Sequence, residues 1–138
     1  MHGAYRWFAD ESVLGFGKKL AARRGDVLYP GHPDLPAVGL GARDVEWMAV
    51  IAAGGLVAFH RDKRIRTRPI EVTRYIDNGM RSIWFGGKKD MSSDDQVDLV
   101  ERHWARIELS VAELGPGPWS LTLTSNGLVE LPWRPASG

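Results

Sequence analysis

The stretch Leu56-Val57-Ala58-Phe59-His60-Arg61-Asp62-Lys63-Arg64-Ile65-Arg66-Thr67-Arg68-Pro69 decides how the rest of the chain is read. Its four leading apolar residues predict a short buried strand. An aspartate stands just past the C-terminal end of that strand, and a run of cations closed by a proline follows. In open α/β folds, ligands and metals bind in the crevice outside the carboxyl ends of the strands. An acid there, flanked by Arg61, Lys63, Arg64, Arg66 and Arg68, suits a metal site that acts on a phosphate-bearing substrate. Taken alone, the stretch reads more simply as a strand, a turn aspartate and a solvated charge run.

Outward from this stretch, strands and helices alternate. On its N-terminal side a helix is predicted from Arg43-Asp44 through Val45, Met48, Ile51 and Ala52 to a Gly54-Gly55 stop. On its C-terminal side Pro69 suits a first helical turn. Ile70, Val72, Thr73 and Ile76 build that helix, Asn78-Gly79 ends it, and residues 81–85 form a strand closed by Gly86-Gly87. Nearer the start, Tyr5-Arg6-Trp7-Phe8-Ala9 has the aromatic enrichment of a strand and ends at Asp10-Glu11. Ser12 is expected to cap a helix carrying Val13, Leu14, Phe16 and Leu20, although Gly15 and Gly17 weaken it. Val27-Leu28-Tyr29 is a further short strand. Residues 30–41 form a loop long enough to be functional or mobile.

From Ser92 or Ser93 a single long helix is expected. Val97, Val100, Trp104, Ile107 and Val111 form its apolar face, and its acids lie at the end the helix dipole favours. Beyond Gly115-Pro116-Gly117-Pro118, residues 119–124 alternate strictly and Ser125-Asn126-Gly127 turns into residues 128–131, a hairpin. The expected fold class is therefore α/β, a three-layer sandwich with a mainly parallel central sheet, plus a C-terminal β-hairpin. The expected organisation is an α/β domain over residues 1–115, with the hairpin and tail of residues 116–138 packed on it. That hairpin is read as an appendage that extends a sheet edge or meets a partner chain.

Composition sets bounds. A chain of 138 residues, 43% hydrophobic with six tryptophans, accommodates one folded domain. The absence of cysteine rules out disulfides, thiol nucleophiles and thiolate zinc sites. Residues 1–10 lack the pattern of a secretory signal. The longest apolar region, residues 45–59, contains Glu46 and two glycines and falls short of a membrane span. A cytoplasmic protein with no membrane partner is expected. A net charge of +1 is uninformative, but local basic stripes can hold a polyanion on one face.

In such a fold the strand C-termini and helix N-termini share one sheet edge. Asp10 ends the first strand, Asp62 ends the third, and Asp44 begins the helix leading into the third. Their convergence would suit Mg2+ or Mn2+, which take oxygen ligands and act on phosphates. Asp44 reads equally well as a helix cap. Glu46 lies about 200° around the helix from Asp44, so only one of them faces the site, and Asp44 is preferred. Glu11 is a lesser candidate, able to reach back as a supporting group. His32 and His60 are too isolated for a metal motif, and His60 is read as structural. Arg6 and Arg43 are assigned to the surface.

The segments Phe8-Ala9-Asp10-Glu11-Ser12, Asp44-Val45-Glu46-Trp47-Met48 and Phe59-His60-Arg61-Asp62-Lys63-Arg64-Ile65 resemble, in order and spacing, PIN-like domains of the VapC-type toxin group. The resemblance covers residues 5–90. It implies a Mg2+- or Mn2+-dependent endoribonuclease, the toxin of a toxin–antitoxin pair, with RNA and an antitoxin protein as partners and a tendency to homodimers. Carried over by position, Asp10, Asp44 and Asp62 are the catalytic, metal-binding acids, with Glu11 a further metal candidate. Arg61, Lys63, Arg64, Arg66 and Arg68 would contact substrate phosphates. Ser12 stands where Asn is usual and His60 where a small residue is usual. Asp90 is the candidate fourth acid. Two other readings stay open: a receiver-type phosphoacceptor domain using Asp10, Glu11 and Asp62, and a catalytically degenerate PIN-like interaction module.

Overall fold

Parallel strands buried on both faces need apolar side chains throughout, and Trp7–Ala9 (β1) and Val57–His60 (β3) are buried at every position. The computed structural model describes residues 5–61, 68–87 and 91–131. The expectations for Asp62, Lys63, Arg64, Arg66 and Asp90 lie outside them. Among the described residues the other strands are Val27–Leu28 (β2), Arg81–Phe85 (β4), Trp119–Thr124 (β5) and Gly127–Leu131 (β6). They form one sheet in the order β2-β1-β3-β4-β5-β6. The first five run parallel, and β6 returns antiparallel to β5.

Helices cover both faces. Leu14–Arg23 (α1), Ser93–Arg102 (α4) and Trp104–Leu114 (α5) pack on the face carrying Trp7, Ala9, Val57, Phe59, Ile83 and Phe85. Asp44–Ala53 (α2) and Pro69–Asp77 (α3) pack on the opposite face, against Phe8, Ala58 and Trp84. The molecule is thus a three-layer α/β sandwich with a mostly parallel sheet. Because β1 is followed by β2 on one side and pairs with β3 on the other, the strand order switches between β1 and β3. The crevice at such a switch is where α/β sheets hold ligands. Asp10 leaves β1 there, its backbone N–H donating to the Phe59 carbonyl at 3.1 Å.

Two expectations are corrected. Ser12 does not cap a helix; Asp10 does, as the N-cap of a 3-10 turn at Glu11–Val13 that precedes α1. The long C-terminal helix is two helices parted at His103, whose φ of −104° and ψ of 15° leave the α region. Only one residue departs, so the three-to-four apolar spacing continues across the break and conceals it. The hairpin extends a sheet edge, one of the two roles expected of it: β5 pairs with β4 over five residues and buries Trp119, Leu121 and Leu123. The cap at the start of α4 holds as read, with the Ser92 hydroxyl accepting from the Asp95 N–H at 3.1 Å. Among the described residues, no helix is long and apolar enough to cross a membrane.

The glycines that weaken α1 as a sequence have a packing reason. A Cβ on Gly17 would lie 2.6 Å from the Ala9 Cβ, so this position lets α1 approach β1 closely. Gly17→Ala is expected to destabilise by about 1–3 kcal/mol in urea unfolding, the overlap outweighing the roughly 1 kcal/mol of helix propensity that alanine adds. Gly15→Ala, whose added Cβ would meet Ser93 at 3.3 Å, should be milder. Equal stability of Gly17→Ala and the parent would contradict the close approach.

Arg6, just before β1, donates to Glu108 on α5 at 3.0 Å. The Arg6 hydrogen bond holds the Glu108 carboxyl below its ordinary value, against the opposing effect of burial. A depressed folded-state value gives stability that is present above the ordinary glutamate range and lost as pH falls through the lowered one. Glu108→Gln should therefore lower stability at neutral pH, by less than about 1 kcal/mol for so exposed a pair. The gap should close as the solution is acidified through that window. A gap that widens in acid would show that the pair is not its cause.

Candidate metal centre

Asp10 is only 3% exposed, and a buried carboxylate needs hydrogen-bond donors around it. Its Oδ1 accepts from the Ser12 backbone N–H at 3.0 Å and from the Ser12 hydroxyl at 2.5 Å. Ser12 Oγ in turn accepts from the Arg61 N–H at 3.0 Å, so the turn after β1 is tied to the end of β3. Asp10 Oδ2 faces His60 Nδ1 at 2.9 Å, and His60 Nε2 lies 2.7 Å from Ser82 Oγ on β4. An ionised carboxylate offers only acceptors, so Nδ1 donates to Asp10; in the neutral ring Nε2 then accepts from the Ser82 hydroxyl. The imidazole sits between Trp47 and Trp84, with centroid distances of 5.4 and 4.5 Å.

Asp44 occupies the first turn of α2, one residue inside the Arg43 N-cap. Its Oδ1 accepts from the Trp47 indole N–H at 3.0 Å. Glu11 Oε1 accepts from the Gly41 N–H at 2.6 Å, fastening the 3-10 turn to the end of the loop at residues 30–41. Asp10, Glu11 and Asp44 line one cleft of about 340 Å³ with Ser12, Gly41 and Trp47. A second cleft of about 350 Å³ begins at Asp44 and is bounded by Arg43, Arg68, Ile70 and Glu71. Asp44 stands on the ridge between them.

Of the acids singled out in the sequence, Asp10, Glu11 and Asp44 thus reach one cleft, while Asp62 lies outside the described residues. Among the described residues, no group of three or more acids or histidines is placed to share a metal ion. Glu46 is on the exposed side of α2, 3.8 Å from Arg43. Of the five cations, Arg68 borders the second cleft and lies 3.7 Å from Glu71. Arg61 adjoins Ser12 through its backbone. His32 serves its own loop: its Nδ1 accepts from the Asp34 N–H at 3.0 Å, and Tyr5 and Tyr29 meet its ring edge-on. The Asp10 contacts of His60, and Ser82 altogether, escaped the sequence reading. Ser82 is fully buried. The usable signal was the parallel β1–β3 register, which sets Ala9 beside Phe59 and hence Asp10 near His60.

The family profile described as "PIN like domain" matches residues 6–87, more than half of the chain. The chain belongs to the PIN-like domain family. No curated protein and no solved structure shows a significant match. PIN-like domains are generally nucleases, hence hydrolases, and typically use divalent metals. In this PIN-like chain the acids at the cleft are of the donor type such cations take, without three of them among the described residues being placed to share one. All three acids at the cleft supply hard oxygen donors, and Asp10 uses three of about four acceptor positions in the described hydrogen bonds.

The Glu11–Gly41 bond is open to a direct check. Glu11→Ala is expected to speed hydrogen exchange at the Gly41 amide by tenfold or more, for the loss of about 1.5 kcal/mol or more from a charged hydrogen bond. Global stability should change little. Unaltered exchange at Gly41 would mean the loop is held by other contacts.

Proposed function

We propose that this PIN-like protein is a metal-dependent endoribonuclease of VapC type, the toxin of a toxin–antitoxin pair, with Asp10, Asp44 and Asp62 as its catalytic acids. The observation carrying this reading is that Asp10 and Asp44, 34 positions apart in the chain, line one cleft beside the β1/β3 switch, with Glu11 next to them. Asp62 follows β3 by two residues and is the third acid by sequence. Single-stranded RNA is the preferred substrate, as the family likeness suggests, and no groove-reading helix is evident among the described residues. An antitoxin protein and a second copy of the chain are the proposed partners, and the cytoplasm the proposed compartment.

Asp10, Asp44 and Asp62, with Glu11 in support, would hold Mg2+ or Mn2+. When bound, such a cation supplies positive charge opposite a phosphodiester and makes water a better nucleophile at neutral pH. The protein's own part is orientation. Ser12 and His60 fix both oxygens of Asp10, and the Trp47 indole fixes one oxygen of Asp44, so neither carboxylate has to reorganise as charge develops. Arg68 at the second cleft, together with Arg61, Lys63, Arg64 and Arg66, would draw the RNA backbone toward the acids.

Cleavage of single-stranded RNA with Mn2+ is the test. Asp10→Asn, Asp44→Asn and Asp62→Asn are each expected to lower kcat/KM on the order of 100-fold or more. Cleavage that survives the Asp10 and Asp62 substitutions would eliminate this site. No cleavage by the parent across a range of metals would favour the degenerate interaction module. Replacing Arg64 and Arg66 together by Ala should weaken RNA binding and flatten its log–log salt slope by about 1.4, the value for two contacts to a single strand. An unchanged slope would leave the basic run a solvated face.

A further inference from the structure

Asp10, His60 and Ser82 form a carboxylate–imidazole–hydroxyl chain across β1, β3 and β4, with links of 2.9 and 2.7 Å. The order of groups is that of a hydrolase triad, in which the hydroxyl attacks the substrate. Burial forbids that use here. Ser82 and His60 are both 0% exposed, whereas Asp10, at 3%, lines the cleft. The hydroxyl is the sealed end of the chain and the carboxylate is the working end.

We propose that this chain acts in the reverse sense, with Ser82 and His60 serving as positioning residues that hold the Asp10 carboxylate ready for a hard divalent cation. The inference rests on the reading of Asp10 as a cation ligand and adds to it the two residues that orient that ligand. Three features favour orientation over simple core filling. Both Asp10 oxygens are engaged, Oδ1 by Ser12 and Oδ2 by His60, so rotation about Cβ–Cγ is blocked at each end. The ring that donates to Oδ2 lies against Trp47 and Trp84, and its other nitrogen is engaged by Ser82. Trp47 also donates to Asp44 Oδ1, so one side chain supports the orienting imidazole of one acid and directly holds the other. Groups behind a metal ligand set its direction and basicity, and losing one commonly weakens metal affinity 10- to 100-fold.

Two measurements on the full chain test the role, neither of them a rate. Mn2+ binding is read by calorimetry for the parent, Asp10→Asn, His60→Leu, His60→Asn and Ser82→Ala, each first shown to be folded by circular dichroism. His60→Leu removes the donor and should weaken Mn2+ binding 10- to 100-fold. His60→Asn, whose amide can stand near the Nδ1 position, should recover most of that loss. Should His60→Leu not fold, Ser82→Ala carries the same test, with weaker binding expected. Parent-like affinity in His60→Leu or in Ser82→Ala, alongside lost binding in Asp10→Asn, would overturn the positioning role alone. Parent-like affinity in Asp10→Asn would remove Asp10 as a ligand, and the proposal with it. Independently, 15N-detected NMR of the His60 ring in the metal-free protein should find a proton on Nδ1; a bare Nδ1 would also overturn the proposal.

Discussion

A carboxylate taken almost wholly out of water is tolerable only when donors replace the lost hydration, and Asp10 imposes that constraint on its surroundings. It accounts for the turn that follows β1, because the Ser12 N–H and hydroxyl face Asp10 Oδ1 only if residues 11–13 coil into a 3-10 turn. It also accounts for an imidazole at the end of β3, a position otherwise apolar on both sides. The parallel pairing of β1 with β3 makes the two meet. A register slip of one residue would put His60 on the opposite face and leave Asp10 without that donor.

The architecture was legible because it rests on local patterns. Short apolar runs bounded by glycine, proline and acids identified the strands, and three-to-four spacing identified the helices. The places where reading failed turn on geometry that residue type and spacing do not show. Ser12 has the right chemistry for a helix cap, but Asp10 lies two residues earlier with a better-placed carboxylate. The turn at His103 alters one residue's dihedral angles and leaves the apolar stripe in step. In β5, strict alternation does not reveal that the strand is paired on both sides, with Ser120 buried along with Leu121.

The placement of two of the acids was legible as well. Acids placed at a strand end and a helix start could be assigned to one edge by topology alone, and Asp10 and Asp44 do reach one cleft. What topology cannot supply is the second layer of contacts. Nothing in the linear order of Trp47, His60 and Ser82 announces that an indole lies beside an imidazole and donates to the other acid. The same holds for Glu11. Its carboxylate closes the mouth of the loop at residues 30–41 by a backbone bond 30 positions away.

The acids of the cleft come from separate layers of the sandwich. Asp10 follows a central strand, and Asp44 begins a helix on one face. In the unfolded chain these groups are dispersed, and nothing keeps them within reach of a common ligand. A ligand that binds between them and not to the unfolded chain stabilises the native state by an amount that rises with the logarithm of its concentration over its dissociation constant. Occupancy of the cleft and integrity of the sheet are therefore two expressions of a single equilibrium.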